Sequence, residues 1–114
     1  MLDCIFCQIA AHNIPSTIIY EDEQIIAFED IDSQAPVHVL IVPKKHINTL
    51  LDLKESEAEL FHQILAVAKT VSTLTNIEHS GFRVVFNCNP DGGQTVYHLV
   101  AHLLGGRKMN WPPG

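Results

Sequence analysis

The chain has 114 residues and a net charge of −6, a length at which one domain, spanning residues 1–114, is expected to bury roughly two thirds of its unfolded surface. Because no basic run exceeds Lys44-Lys45, the charge pattern argues against nucleic acid or an anionic membrane as the partner and favours a small ligand. No apolar run reaches membrane-spanning length, and Asp3 stands where a secretion signal would be basic, so a cytoplasmic protein is expected.

The first half of the chain predicts three strands. Residues 17–20 and 24–28 are rich in β-branched and aromatic side chains and flank a polar turn, which predicts a hairpin. Residues 37–42 are apolar except for His38, which predicts a central strand buried on both faces. We expect that strand to stop at Pro43, because proline cannot donate a hydrogen bond to the ladder.

The only long helix is predicted over about residues 55–76. Apolar residues recur there at intervals of three and four from Leu60 to Leu74, which gives the helix one apolar face. Ser56 and Glu59 have the spacing of a capping box at its start.

Two further strands are predicted after the helix. Residues 81–86 form the fourth strand, residues 87–93 a loop rich in turn-forming residues, and residues 94–104 the fifth strand. Strands on both sides of a single helix predict an α+β domain whose antiparallel sheet is covered on one face.

The predicted last strand carries two histidines four residues apart, His98 and His102, with Val100 between them. Because side chains alternate along a strand, these three share one face. The opposite face takes Tyr97, Leu99, Ala101 and Leu103. Val100 is therefore an apolar residue in a polar row.

Residues 98–104 resemble the histidine triad (HIT) signature, His-φ-His-φ-His-φ-φ with φ apolar, except that valine replaces the middle histidine. The similarity to the Hint branch of this superfamily, the nucleoside phosphoramidate hydrolases, also covers residues 28–31, 34–38, 42–46, 91–98, 104–107 and 111–114. The resemblance implies a HIT-like fold with a five-stranded antiparallel sheet, a short N-terminal helix and one long helix. It also implies a homodimer that binds a purine nucleoside monophosphate or phosphoramidate.

The family's chemistry depends on the residue that Val100 replaces. In the family the middle histidine attacks the phosphorus of a nucleoside 5′-phosphoramidate, and water then cleaves the nucleotidyl-histidine to nucleoside monophosphate. Valine has no lone pair, so this chain is expected to bind the substrate but to hydrolyse it hardly at all. His98 and His102 resemble the outer triad histidines, and His38 is added to the catalytic set because a lone histidine in an apolar strand is expected to serve a function.

The resemblance also assigns a nucleotide site. Its residues are Phe6, Ile9, Phe28, Asp30, Ile31, Asn87, Gly93, Gln94, Thr95 and His102. The apolar members resemble the walls that sandwich the base, Asp30 the carboxylate that accepts the ribose hydroxyls, and the loop residues a phosphate cradle. Apart from the resemblance, aromatic and aliphatic residues at this spacing are more often plain core.

A metal site is indicated by Cys4 and Cys7, whose spacing lets both thiolates bind one tetrahedral zinc. Three cysteines suit a metal or redox role in a reducing compartment better than a disulfide framework. In zinc-binding members of the superfamily the remaining ligands occupy positions that correspond to His46 and His98. The predicted structural zinc site is therefore Cys4, Cys7, His46 and His98, and a redox role for the cysteine pair is the alternative.

Two other functions remain open. The spacing of His98 and His102 also occurs in zinc metalloproteases, but Leu99 stands where those enzymes carry a glutamate. The stronger alternative is a non-catalytic, zinc-stabilised module that binds nucleotides or proteins and in which Val100 is the native residue.

Overall fold

The fold is built on a five-stranded antiparallel sheet. In the computed structural model, which describes residues 3–114, the elements are α1 (Ile5–Ala10), β1 (Ile18–Glu21), β2 (Ile25–Glu29), β3 (Val37–Pro43), α2 (Ala58–Leu74), β4 (Phe82–Phe86) and β5 (Ala101–Gly105). The strands lie in the order β1-β2-β3-β5-β4. The predicted α+β class, sheet, long helix and short N-terminal helix are confirmed. Residues 1 and 2 of the predicted domain lie outside the described residues.

Strand β3 is the central strand, as its apolar sequence predicts. Every residue from His38 to Pro43 is buried. The strand pairs with β2 on one side and β5 on the other, so both its edges are hydrogen-bonded. His38 is consequently held deep in the sheet, where an unpartnered polar group would be costly.

The two faces of the sheet carry separate apolar clusters. Val39 and Ile41 of β3 pack with the buried stripe of α2 on one face. Leu40 and Val42, which point the other way because side chains alternate, pack with Phe6 of α1. The α2 face is closed by its long helix, whereas the six-residue α1 covers only part of the opposite face. The cavity and the residues predicted for its site lie on this α1 face.

Strand β5 begins at Ala101, so the prediction of a strand from residue 94 is wrong. The reason lies in its neighbours, because Ala101 pairs with Ile41 of β3 and with Phe86, the last residue of β4. Two positions beyond Ile41, β3 reaches Pro43, which has no N–H for the ladder. Strand β4 therefore ends beside the start of β5, and β3 ends two residues beyond it.

The start of the long helix also differs from prediction. A short 3-10 turn over Glu55–Glu57 precedes α2, and the predicted capping box of Ser56 and Glu59 is wrong. The Glu57 carboxylate instead accepts the Lys54 main-chain N–H at 3.0 Å and an ammonium hydrogen bond from Lys45. Among the helices of residues 3–114, none has the length and hydrophobicity that crossing a bilayer requires.

Candidate functional site

A cavity of about 470 Å³ opens on the α1 face of the sheet. Its walls include all ten residues predicted for the nucleotide site, together with His38 and Val100. They come from α1, β2, β3, β5 and the loops that follow β2 and β4. His98 is not among the lining residues and belongs to a separate cluster on the same face. The fold thus gathers side chains that are up to 96 positions apart in sequence, from Phe6 to His102.

The apolar end of the cavity is a slot between α1 and β2. The rings of Phe6 and Phe28 meet edge to face with centroids 5.6 Å apart, and Ile9 is buried beside them. Ile31 was predicted to be a wall of the same kind, but it is 100 % exposed and lies only at the rim. Phe6, Ile9 and Phe28 therefore form the slot, and Ile31 adds no buried surface to it.

Val100 faces the cavity. Its side chain is 6 % exposed and packs in the apolar cluster of the α1 face with Leu40 and Phe28. Leu99, Ala101 and Leu103 point to α2, so the predicted alternation holds at these positions even though residues 98–100 precede the regular strand. Tyr97 departs from it, because it is 41 % exposed and lies outside the α2-facing cluster.

His38 and His102 form a hydrogen-bonded pair beside Val100. The Gln34 main-chain N–H donates to His38 Nδ1 at 3.0 Å, and His38 Nε2 lies 3.0 Å from His102 Nδ1. A neutral imidazole carries one proton, so a ring that accepts at Nδ1 must carry it on Nε2. His38 Nε2–H therefore donates to His102 Nδ1, and His102 in turn carries its proton on Nε2 at the cavity wall. Within residues 3–114 that N–H has no protein acceptor.

Burial keeps both rings of this pair neutral. It lowers the pKa of His38 and of His102 below the ordinary histidine value. The neighbouring His38 lowers the pKa of His102 further, while the Asp30 carboxylate opposes the shift in both rings. The cavity therefore offers a neutral imidazole N–H near pH 7, not an imidazolium cation.

The loop after β4 is stiffened by the polar groups that were predicted to cradle phosphate. The Gln94 amide donates to Asn48 O at 2.8 Å and accepts from the Asn89 N–H at 2.9 Å. Asn87 donates to a loop carbonyl at 2.7 Å, and the Gly93 N–H donates to another at 3.0 Å. These groups hold the loop in shape, and most of their N–H donors are already used within the protein instead of being available to a phosphate. Thr95 also lines the cavity, and its hydroxyl makes no hydrogen bond within residues 3–114.

A second cluster joins the two N-terminal cysteines to two histidines. Cys4 Sγ lies 3.3 Å from His98 Nδ1, and Cys7 Sγ lies 3.2 Å from His46 Nδ1 and 3.5 Å from His98 Nδ1. The four ligand atoms lie within 4.8 Å of one another. Sulfur and nitrogen ligands of one tetrahedral zinc are roughly 3.5 Å apart, given Zn–S and Zn–N bond lengths. The spacing fits zinc.

The outer hydrogen bonds of the two histidines leave both Nδ1 atoms free to bind a metal. His98 Nε2 lies 2.7 Å from Pro43 O and His46 Nε2 lies 2.6 Å from Asn48 Oδ1; both oxygens can only accept, so each ring carries its proton on Nε2. Each Nδ1 lone pair then faces a thiol, and such outer hydrogen bonds are typical of zinc-bound histidines. Burial lowers the pKa of His98, which favours the neutral ring that a metal requires.

The same reasoning argues against metal at the other cluster of candidate ligands. Asp30, His38 and His102 also lie close together, with Asp30 Oδ2 3.5 Å from His38 Nε2. A metal at His38 Nε2 would have to displace the proton there while Nδ1 accepts from Gln34. The ring would become an imidazolate, so this trio is better suited to hydrogen bonding than to metal binding.

Three groups that position the site were missed from the sequence. They are the Pro43 carbonyl, the Gln34 main-chain N–H and the Asn48 side chain. Two of them are main-chain groups, and the residue type does not reveal what a main-chain group will bind. Asn48 could have been found from the sequence, because it lies two residues after the predicted ligand His46 and metal-bound histidines usually donate their other N–H to a nearby acceptor.

The geometry agrees with what the chain resembles. A family model described as "HIT domain" matches residues 11–109. A "14 kDa zinc-binding protein" of Zea mays is 49 % identical over 112 residues, covering 96 % of this chain and 87 % of the relative. The "Adenylylsulfatase HINT1" of Arabidopsis thaliana is 43 % identical over 112 residues, covering 96 % of this chain and 76 % of the relative.

Solved structures show the same fold. A HIT family hydrolase from Legionella pneumophila superposes with a TM-score of 0.96 at 51 % identity, covering 98 % of this chain and 100 % of its own. A histidine triad protein from Clostridium difficile gives a TM-score of 0.94 at 44 % identity, with 96 % of each chain covered. The predicted family and fold are confirmed, and the predicted zinc site is present as a four-residue cluster that could hold the ion.

Replacing a thiol of this cluster should remove the metal. We expect about one zinc per chain in protein purified without chelator, and a large loss in Cys4→Ala, because three ligands no longer close the tetrahedron. Cys88→Ala is the matched control, since that thiol lies outside the cluster. Elemental analysis of the three proteins measures this. Equal zinc in wild type and Cys4→Ala would contradict the assignment.

The lowered pKa of His102 should make stability depend on pH in a defined direction. As pH falls from 7 to 5, the unfolded chain protonates this ring before the folded chain does, so the free energy of unfolding decreases. It falls by about 1.4 kcal/mol for each tenfold difference in proton affinity. Urea unfolding across this range should therefore show a shallower fall for His102→Gln than for wild type. Ser80→Ala, at an exposed position whose side chain does not titrate, should keep the wild-type slope, and equal slopes in all three proteins would refute the expectation.

Proposed function

This chain belongs to the HIT domain family, and we propose that its cavity binds a purine nucleoside monophosphate or 5′-phosphoramidate without hydrolysing it at an appreciable rate. The observation that carries the proposal is the orientation of Val100, whose side chain faces the cavity next to His102. That is the position at which the resemblance places the attacking histidine. A ligand held there meets an aliphatic group in place of a nucleophile.

The cavity offers a place for each part of such a ligand. Phe6 and Phe28 suit a flat base, and the Asp30 carboxylate at the slot's edge suits the ribose hydroxyls. The Thr95 hydroxyl and the His102 Nε2–H are free donors for phosphoryl oxygens. The name of the Arabidopsis relative specifies an adenylyl compound as its substrate, which supports adenosine as the nucleoside.

The lining binds the phosphate without a formal positive charge. Among the described residues that line the cavity there is no lysine or arginine, whereas Glu29, Asp30 and Asp32 are present. The histidine pair is neutral near pH 7 because burial lowers the pKa of both rings. Phosphate binding therefore relies on neutral hydrogen-bond donors, with apolar contacts to the base supplying much of the affinity.

No other histidine at the site can take the place of the missing nucleophile. His102 carries its proton on Nε2 and its Nδ1 accepts from His38, so it has no free lone pair for phosphorus. His38 is protonated on Nε2 and its Nδ1 accepts from Gln34. His98 points its lone pair at the cysteines. The expected loss of covalent hydrolysis follows from these proton positions as well as from Val100.

The alternative is a module in which nucleotide or protein binding is the whole function and Val100 is the native residue. The apolar packing of Val100 favours it, because the side chain is buried among the other apolar residues of its cluster. The two proposals agree on binding and differ on whether the chain derives from a working hydrolase.

We further propose that residues 1–114 act as one domain, that the chain forms a homodimer and that it works in the cytoplasm. The open edge of β4 supports a dimer, because an unpaired edge strand is a template for pairing with another chain. Three free cysteines support a reducing compartment.

Restoring the imidazole should restore chemistry. We expect Val100→His to release the amine from an adenosine 5′-phosphoramidate at least about a hundredfold faster than the unchanged chain, because removing one member of a catalytic set costs orders of magnitude. Steady-state amine release measures this. Val100→Asn, which is polar but lacks the imidazole, is the control and should stay slow. Comparable rates in all three proteins would overturn the proposed role of residue 100.

Binding should survive without catalysis. AMP should bind the unchanged chain in titration calorimetry, and Asp30→Asn should weaken that binding by about tenfold or more, because a hydrogen bond to a charged group contributes about 1.5–3 kcal/mol. Glu29→Gln removes the neighbouring carboxylate of the same cavity and should not weaken AMP binding. No detectable AMP binding by the unchanged chain would contradict the proposed ligand.

A further inference from the structure

Helix α1 and its N-cap residue contribute to two sites. They supply two residues of the zinc cluster and also part of the cavity wall. Cys4 caps its first turn, where Cys4 Sγ accepts the Cys7 N–H at 3.4 Å, and Cys7 lies within the helix. Phe6 and Ile9, on the same six-residue helix, are its buried residues and line the cavity. One rigid turn of backbone therefore joins the zinc cluster to the apolar slot.

A second connection runs through side chains. The His98 ring lies edge to face against Phe6, with centroids 5.8 Å apart, and against His46 at 4.9 Å. Phe6 in turn contacts Phe28 across the slot. A ring that ligates the metal thus packs directly on a ring that forms the slot, and Val100 follows two residues later in the cavity wall.

Helix α1 depends on these contacts for its position. A six-residue helix has little stability of its own, because nucleation costs more than one turn of hydrogen bonds returns. On one side it is held by the cysteine and histidine contacts, and on the other by the apolar slot. Metal bonds at the first side and a base at the second would both select the same placement of the helix.

We propose that Cys4 and Cys7 are positioning residues of the nucleotide cavity, so that zinc and the nucleotide base bind cooperatively through α1. The inference rests on the proposed nucleotide function. Each ligand orders α1 for the other, so the second to bind loses less conformational freedom. Coupling of this kind is reciprocal and typically changes affinity between 5-fold and 150-fold, and we expect about tenfold here.

The test is the AMP dissociation constant of the full chain, measured by calorimetry with zinc loaded and with zinc removed by a chelator. We expect zinc removal to weaken AMP binding about tenfold in the wild type, and by less than about threefold in Phe6→Leu, which lacks the ring that joins the two sites. Ile31→Ala is the matched control, because Ile31 lines the cavity but lies outside α1 and should leave the tenfold effect intact.

The possible outcomes separate the inference from the function on which it rests. Failure of AMP to bind zinc-loaded protein would overturn the proposed function. Binding that is equal with and without zinc would overturn the coupling alone. Equal zinc dependence in wild type and Phe6→Leu would also overturn it, because Phe6 is the α1 residue that contacts His98 and is proposed to hold the base.

If circular dichroism shows that the zinc-depleted chain is unfolded, a second measurement replaces the AMP titration of zinc-free protein. Zinc-loaded protein is mixed with a chelator, and the rate of zinc loss is followed with and without saturating AMP. Reciprocity requires AMP to slow zinc loss. At matched saturation the slowing should be clearly larger in wild type and Ile31→Ala than in Phe6→Leu, and equal slowing in all three would refute the proposal.

Discussion

Main-chain groups fix which nitrogen of each buried imidazole carries the proton. The different chemistry of the two histidine clusters depends on that constraint. The Gln34 N–H occupies His38 Nδ1, which sends the proton of His38 to Nε2 and makes His102 an N–H donor. The Pro43 carbonyl holds the His98 proton on Nε2, which leaves Nδ1 free to face two thiols. Two histidine clusters on one face of one sheet are thereby given different chemistry, donation to a ligand in one and metal binding in the other.

Much of this arrangement could be predicted from the sequence, because it rests on periodicity and local spacing. The apolar run of residues 37–42 predicted the central strand, and simple alternation predicted that Val100 and His102 share a face. The two-residue spacing of Cys4 and Cys7 indicated a metal, but only the family resemblance selected His46 and His98. Long-range partners of this kind are not encoded in any local pattern.

The parts that could not be predicted depend on neighbours in space. The fifth strand starts later than its sequence suggests because β4 ends beside Ala101 and β3 reaches Pro43, which cannot donate to the ladder, two residues further on. Gln94 was predicted to hold phosphate, yet its amide is engaged with Asn48 and Asn89, an assignment that needs the folded loop. Proton positions likewise become visible only when the partner of each ring nitrogen is known.

The cation-free lining would make the cavity sort ligands by charge. A nucleoside phosphoramidate carries one negative charge on its phosphoryl group, whereas the free monophosphate carries close to two at neutral pH. Three carboxylates and two neutral imidazoles line the cavity that would hold either group. Under the proposed function, this repulsion would favour a singly charged phosphoramidate over the monophosphate.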